Sequence, residues 1–148
     1  MLLSFSVPEM LPYVRAGIRQ AHGEHVTERV KRQTIRAWGP QAERVLAAKT
    51  FPYRLSLWWK SRTKEREFLG SIECDGVQAC QVEISHDATG RVTVYTYGSV
   101  LQMHWHPDRG GKKLTDFAYA DGFDSPEAFR AYFVPNIGDV FKGIMFKW

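Results

Sequence analysis

The run Lys31-Arg32-Gln33-Thr34-Ile35-Arg36 sets a lysine, two arginines and a hydroxyl within six residues. Such a set suits a nucleic acid or nucleoside, because arginine offers a fixed fork of donors to phosphate or a base edge and lysine a point charge. Read as a strand, Arg32, Thr34 and Arg36 share one face, while Gln33 and Ile35 share the other. Lys31 has the opposite parity to Thr34, so the two meet at one site only if Lys31 precedes the regular strand in a turn or bulge. On the residues alone, strand propensity accounts for Thr34 and a surface ion pair for Lys31.

Two other groupings have chemical potential. Trp58, Lys60, Arg62, Lys64 and Arg66 fall on one parity, and an extended segment would line them up as an edge of one aromatic and four cations, suited to single-stranded nucleic acid. Glu65 and Glu67 dilute that charge, so a solvated hairpin loop is the plainer reading. Tyr97 is a second ring that could stack on a base. His104 and His106 would project from one strand face, as an acid and base near a phosphate or as part of a metal set. No carboxylate or cysteine stands at diagnostic spacing beside them, and there is no Gly-x-Gly-x-x-Gly or phosphate-loop lysine, so neither metal nor cofactor is expected.

These residues need elements to position them. Leu2 to Val7 reads as a first strand stopped by Pro8. Glu9 to Gln20 reads as a helix burying Leu11, Val14 and Ile18, with Pro12 in its first turn. After the Arg32–Arg36 strand, Pro40 opens a helix to about Lys49 that buries Ala42, Val45 and Leu46. Phe51-Pro52 resets the chain, and Tyr53 to Trp59 follows as the clearest strand, with Tyr53, Leu55, Leu57 and Trp59 on its apolar face. Further strands are expected at Phe68–Ile72, Val77–Ile84 and Arg91–Trp105. Asp75-Gly76 is a candidate hairpin turn between the first two, and Gly98-Ser99 a bulge in the third. His106 to Lys113 reads as a flexible loop. Ser125 and Pro126 begin a helix that buries Ala128, Phe129, Tyr132 and Phe133, and Val140 to Trp148 closes the chain as a strand. This order points to an α+β fold, a small, mostly antiparallel β-barrel with peripheral helices.

The 148 residues fit one domain, 1–148. A net charge of +4 favours anionic partners. No apolar run approaches the ~20 residues that span a bilayer, and no signal-peptide pattern opens the chain, so a cytoplasmic protein without membrane contact is expected. Cys74 and Cys80 make no zinc-ribbon or disulfide pattern, and reduced thiols are expected.

Three separated pieces resemble the ASCH family of the PUA-like superfamily. Leu2-Leu3-Ser4-Phe5 and the helix after it look like the family's opening. Lys31, Thr34 and Arg36 match its signature of a lysine, a threonine three positions on and an arginine two further. Asp121-Gly122-Phe123-Asp124-Ser125, the aromatic helix and Phe146-Lys147-Trp148 look like its acid-Gly-Phe ending. The chain departs from the pattern in three ways. Ile18 to Val30 separates Gly17 from Lys31, where a glycine usually stands just before the lysine; Asp121 replaces a common glutamate; and the regions of Pro40–Lys49 and Trp58-Trp59 are enlarged.

The resemblance implies a PUA-like β-barrel and two functional readings. In the first, a basic cleft binds RNA or single-stranded nucleic acid through Arg32, Arg36, Trp58, Lys60, Arg62 and Tyr97, with ribonuclease activity in some relatives. In the second, the chain is an amidohydrolase deacetylating a modified nucleoside of the N(4)-acetylcytidine type. Carried over by position, Thr34 is then the nucleophile, Lys31 its base and Asp121 the acid. Convergence of Lys31, Thr34 and Asp121 in one pocket would favour the second reading, and an open basic groove the first.

Overall fold

The computed structural model describes residues 2–47, 54–73, 77–97 and 101–148. In chain order its elements are β1 (Leu2–Phe5), a 3-10 turn at Pro8–Met10, α1 (Leu11–Ala21), β2 (Gln33–Ala37), α2 (Pro40–Ala47), β3 (Leu55–Trp59), β4 (Glu67–Ile72), β5 (Gln78–His86), β6 (Val92–Thr96), β7 (Leu101–Trp105), α3 (Lys112–Ala120), α4 (Pro126–Phe133) and β8 (Val140–Lys147). Pro12 sits in the first turn of α1, where its missing donor costs nothing, and Val14 and Ile18 are buried from that helix. The Ser125 hydroxyl caps α4 by accepting from the Ala128 N–H at 3.1 Å.

The expected closed barrel does not form. The strands divide into two open sheets, ordered β1-β3-β4 and β2-β8-β5-β6-β7, and with four short α-helices the fold is α+β. A barrel closes by carrying backbone hydrogen bonds around its whole circumference. Here β1 and β2 are edge strands of different sheets, and side chains rather than strand pairing connect them: Arg36 on β2 donates from Nη2 to the Ser4 carbonyl on β1 at 2.7 Å. Most pairings are antiparallel, but β1 runs parallel to β3.

Each sheet face feeds one of two apolar clusters. One gathers Val82, Ile84, Val94 and Trp105 of the larger sheet against Leu114, Phe129 and Phe133 of the last two helices. The other gathers Leu3, Leu55 and Leu57 of the smaller sheet with Val14, Ile18 and Val45 of α1 and α2. β8 serves both through its two-residue side-chain period: Met145 enters the first cluster, Ile144 and Phe146 the second. Full burial of each such side chain contributes about 1.5–3 kcal/mol.

Several local expectations change. The His106–Lys113 loop is shorter than its reading, and α3 begins at Lys112. In α4 Phe129 and Phe133 are buried as expected, whereas Ala128 is exposed and Tyr132 is 60% exposed. β4 and β5 lie in different sheets and do not pair as a hairpin. The Asp75-Gly76 turn and Cys74, the Phe51-Pro52 break, Tyr53, the Gly98-Ser99 bulge and the end of the second helix at Lys49 lie outside the described residues. Among the described residues no helix is long and apolar enough to cross a membrane.

Candidate functional site

Lys31 lies two residues before β2, outside the regular strand, and its backbone is held from two sides. Its N–H donates to the Tyr13 carbonyl of α1 at 2.8 Å, and the next N–H, of Arg32, donates to the Ala120 carbonyl at the end of α3 at 3.0 Å. Gly17 makes the first approach possible, since a Cβ there would lie 2.1 Å from the Lys31 carbonyl oxygen. Gly17 is therefore adjacent to Lys31 in space, although Ile18 to Val30 separates them in sequence. That intervening segment is fastened by Arg29, whose guanidinium lies 4.7 Å from the Tyr13 ring centre and 4.8 Å from that of Tyr119. Arg29 also donates to Asp124 Oδ1 at 2.7 Å and to the Phe123 carbonyl.

Asp121 reaches the same point from α3. The helix ends in a Schellman turn, with the Phe123 N–H donating to the Ala118 carbonyl and the Gly122 N–H to the Tyr119 carbonyl, both at 3.0 Å. Gly122 takes the left-handed conformation this turn requires, with φ of +92°. The Lys31 ammonium then donates to Asp121 Oδ1 at 2.9 Å and also to the Asp121 backbone carbonyl. A cation at a helix C-terminus is favourable, because it faces carbonyls without helical partners.

The Lys31 and Asp121 side chains are only 2% and 4% exposed. Burial pushes the Lys31 ammonium below its usual range, opposed by the charge of Asp121. Burial likewise pushes the Asp121 carboxyl up to about 6, opposed by Lys31, by Arg36 and by a hydrogen bond from the Ile35 backbone. Both shifts favour the neutral forms. Arg36 is also lowered by burial, and its guanidinium sits 5.3 Å from the Phe5 ring centre.

Lys31, Thr34, Arg36 and Asp121 line a single cleft with Ser4, Phe5, Met10, Phe123 and Tyr132. Its enclosed volume is about 50 Å³. That volume suits a group the size of a few waters. Thr34 is 3% exposed, and two of the three ammonium donors of Lys31 are engaged by Asp121.

The other expected binding residues are dispersed. Arg32 is exposed and outside the cleft lining. Trp58 packs on Phe68 with ring centres 5.2 Å apart. The segment after Trp59 turns rather than extending: Lys60 has φ of +43° and pairs with Glu65, so the expected cationic edge is not assembled. Tyr97 packs edge-on against Tyr95, with ring centres 4.9 Å apart. Arg62 lines a separate groove next to the cleft. His104 bonds Thr93 at 3.1 Å, and no group of three or more His, Cys, Asp or Glu side chains able to hold a metal occurs among the described residues. Among the cleft residues that the sequence does not single out are Ser4, Phe5, Met10, Phe123 and Tyr132; Tyr132 reads as core because its helical spacing matches Phe129 and Phe133.

No family model, curated protein or solved structure matches the chain.

Proposed function

We propose that the chain is an ASCH-type amidohydrolase that removes the acyl group from a modified nucleoside of the N(4)-acetylcytidine class. The observation that carries this reading is the buried Lys31–Asp121 pair at a cleft that Thr34 also lines. Stability alone does not call for such a pair, because apolar side chains of similar volume are usually at least as favourable in its place. Perturbed, coupled groups in a cleft are the arrangement acid–base chemistry uses.

In the proposed reaction Lys31 first passes its proton to Asp121, leaving a neutral amine and a carboxylic acid. The amine takes the Thr34 hydroxyl proton as the oxygen attacks the acyl carbonyl. Asp121 then gives its proton to the departing base nitrogen, releasing the free amino group and leaving the acyl group on Thr34. Water repeats the sequence, its proton passing through the pair to Thr34 as acetate leaves. Arg36 is the nearby cation for the developing oxyanion. Phe5, Phe123 and Tyr132 offer apolar surface to the pyrimidine.

The nucleic-acid-binding reading has less support. It needs Arg32, Arg36, Trp58, Lys60, Arg62 and Tyr97 on one surface; Arg36 and Arg62 share a groove, while Trp58 packs on Phe68 and Tyr97 on Tyr95. The test is chromatography of purified protein incubated with N(4)-acetylcytidine. Release of cytidine and acetate is expected, together with its loss in Thr34→Ala and Lys31→Ala; no release by the wild type, or wild-type release by both folded variants, contradicts the reading.

A further inference from the structure

The cleft does not end at Arg36. A second groove of about 370 Å³ opens on the other side of that residue, and Ser4 and Arg36 belong to the walls of both. The groove runs between β1, β2, the start of α2 and the turn after β3. Leu3, Ile144 and Phe146 give it an apolar floor, while Arg62 and Ser61 stand with Arg36 and Ser4 at its polar side. The two spaces are neighbours across the contact of Arg36 with the Ser4 carbonyl.

Among the described residues no carboxyl lines the groove, although Asp121 in the adjoining cleft acts on Arg36. Arg36 commits one donor to the Ser4 carbonyl, and a guanidinium has five. Arg62 is exposed, and none of the ion pairs among the described residues includes it, whereas nearby Lys60 is held by Glu65. Two arginines over an apolar floor match a sugar carrying an anionic ester: the ring packs on the floor and the forked donors meet phosphate oxygens.

We propose that this groove is a phosphate subsite, so that the substrate is a phosphorylated nucleoside whose acylated base occupies the cleft. The proposal rests on the acylated-nucleoside reading above. The phosphate ester is the recognised chemistry, whether it belongs to a mononucleotide or to a nucleotide within a chain. Arg62 is a specificity residue in this scheme, acting on the phosphate rather than on the reacting bond.

Calorimetric titration of the full chain with cytidine, its 5′- and 3′-monophosphates and a short cytidine oligonucleotide tests the subsite without requiring turnover. At least one phosphorylated ligand is expected to bind about tenfold tighter than cytidine, the size of about one charge-assisted hydrogen bond. Arg62→Gln is expected to bring that ratio close to one, and Arg62→Lys to retain part of it because charge survives without the fork. The ligand that shows the ratio identifies the source of the phosphate. Equal or undetectable binding of all four ligands, or a ratio that Arg62→Gln leaves intact, overturns the subsite. A ratio that holds while no acylated ligand is hydrolysed leaves the subsite standing and removes the proposed reaction. Hydrolysis of N(4)-acetylcytidine and of its 5′-monophosphate at equal kcat/KM, with no binding ratio, does the reverse.

Discussion

Replacing Lys31 by methionine while Asp121 remains leaves a carboxyl in a site that is almost closed to water. Breaking such a pair from one side costs about 3–5 kcal/mol, whereas replacing both members with apolar groups costs much less. Urea unfolding should therefore find Lys31→Met strongly destabilised and the double variant Lys31→Met/Asp121→Leu substantially recovered; a single variant as stable as the wild type would contradict the burial. The same pair sets a pH signature. Asp121 is raised in the fold to about 6 from 3.8, so it favours folding fully below about 3.8, and that contribution is lost as pH rises toward 6. Lys31 is lowered, so its penalty on folding is relieved as pH rises toward its unfolded value of 10.5. The stability difference between wild type and the double variant should fall between pH 4 and 6 and recover at alkaline pH, as followed by unfolding at stepped pH. A pH-independent difference would remove the coupled-proton account.

Elements matter here through the place where α1 nearly touches the backbone at Lys31. Alanine normally stabilises a helix by about 1 kcal/mol over glycine, but at position 17 the added carbon would meet the Lys31 carbonyl. Gly17→Ala should cost about 1–3 kcal/mol in unfolding experiments, the usual size of an overpacking error, and should lower hydrolysis by displacing Lys31; a stabilised variant would contradict the close approach. The sequence made part of this legible. The Pro12 start of α1 and the Ser125-Pro126 start of α4 follow from local rules that tertiary packing did not override, whereas the place of Lys31 before the strand is legible only as the condition for its meeting Thr34. α3 carries Leu114, Phe117 and Ala118 at helical spacing, but Gly110-Gly111 just before it is a loop signal that masks the helix start. The nearness of Gly17 to Lys31 was hidden, because sequence distance says nothing about a segment that leaves a helix and returns to its flank. Arg29, which fastens that segment between two tyrosines, carries no motif of its own.

At the scale of the whole molecule, strand order alone did not reveal whether the sheets close. The alternation in each strand is the same for a barrel and for two open sheets, since both bury one face; only the pairing distinguishes them. The buried charges between β1 and β2 belong to the open arrangement. Because β8 supplies residues to both apolar clusters, the two should unfold together. Phe129→Ala in one cluster and Phe146→Ala in the other, both fully buried, should each cost about 3–5 kcal/mol and shift tryptophan fluorescence and circular dichroism along a single common transition. Two separated transitions would show that the clusters are independent. The central claim, that Lys31, Thr34 and Asp121 form a reacting site, is tested most directly by the rate of cytidine release from N(4)-acetylcytidine. The wild type should release cytidine, and Thr34→Ala and Lys31→Ala should each reduce kcat/KM by about a hundredfold or more. No release by the wild type, or full activity in folded Thr34→Ala and Lys31→Ala, would contradict it.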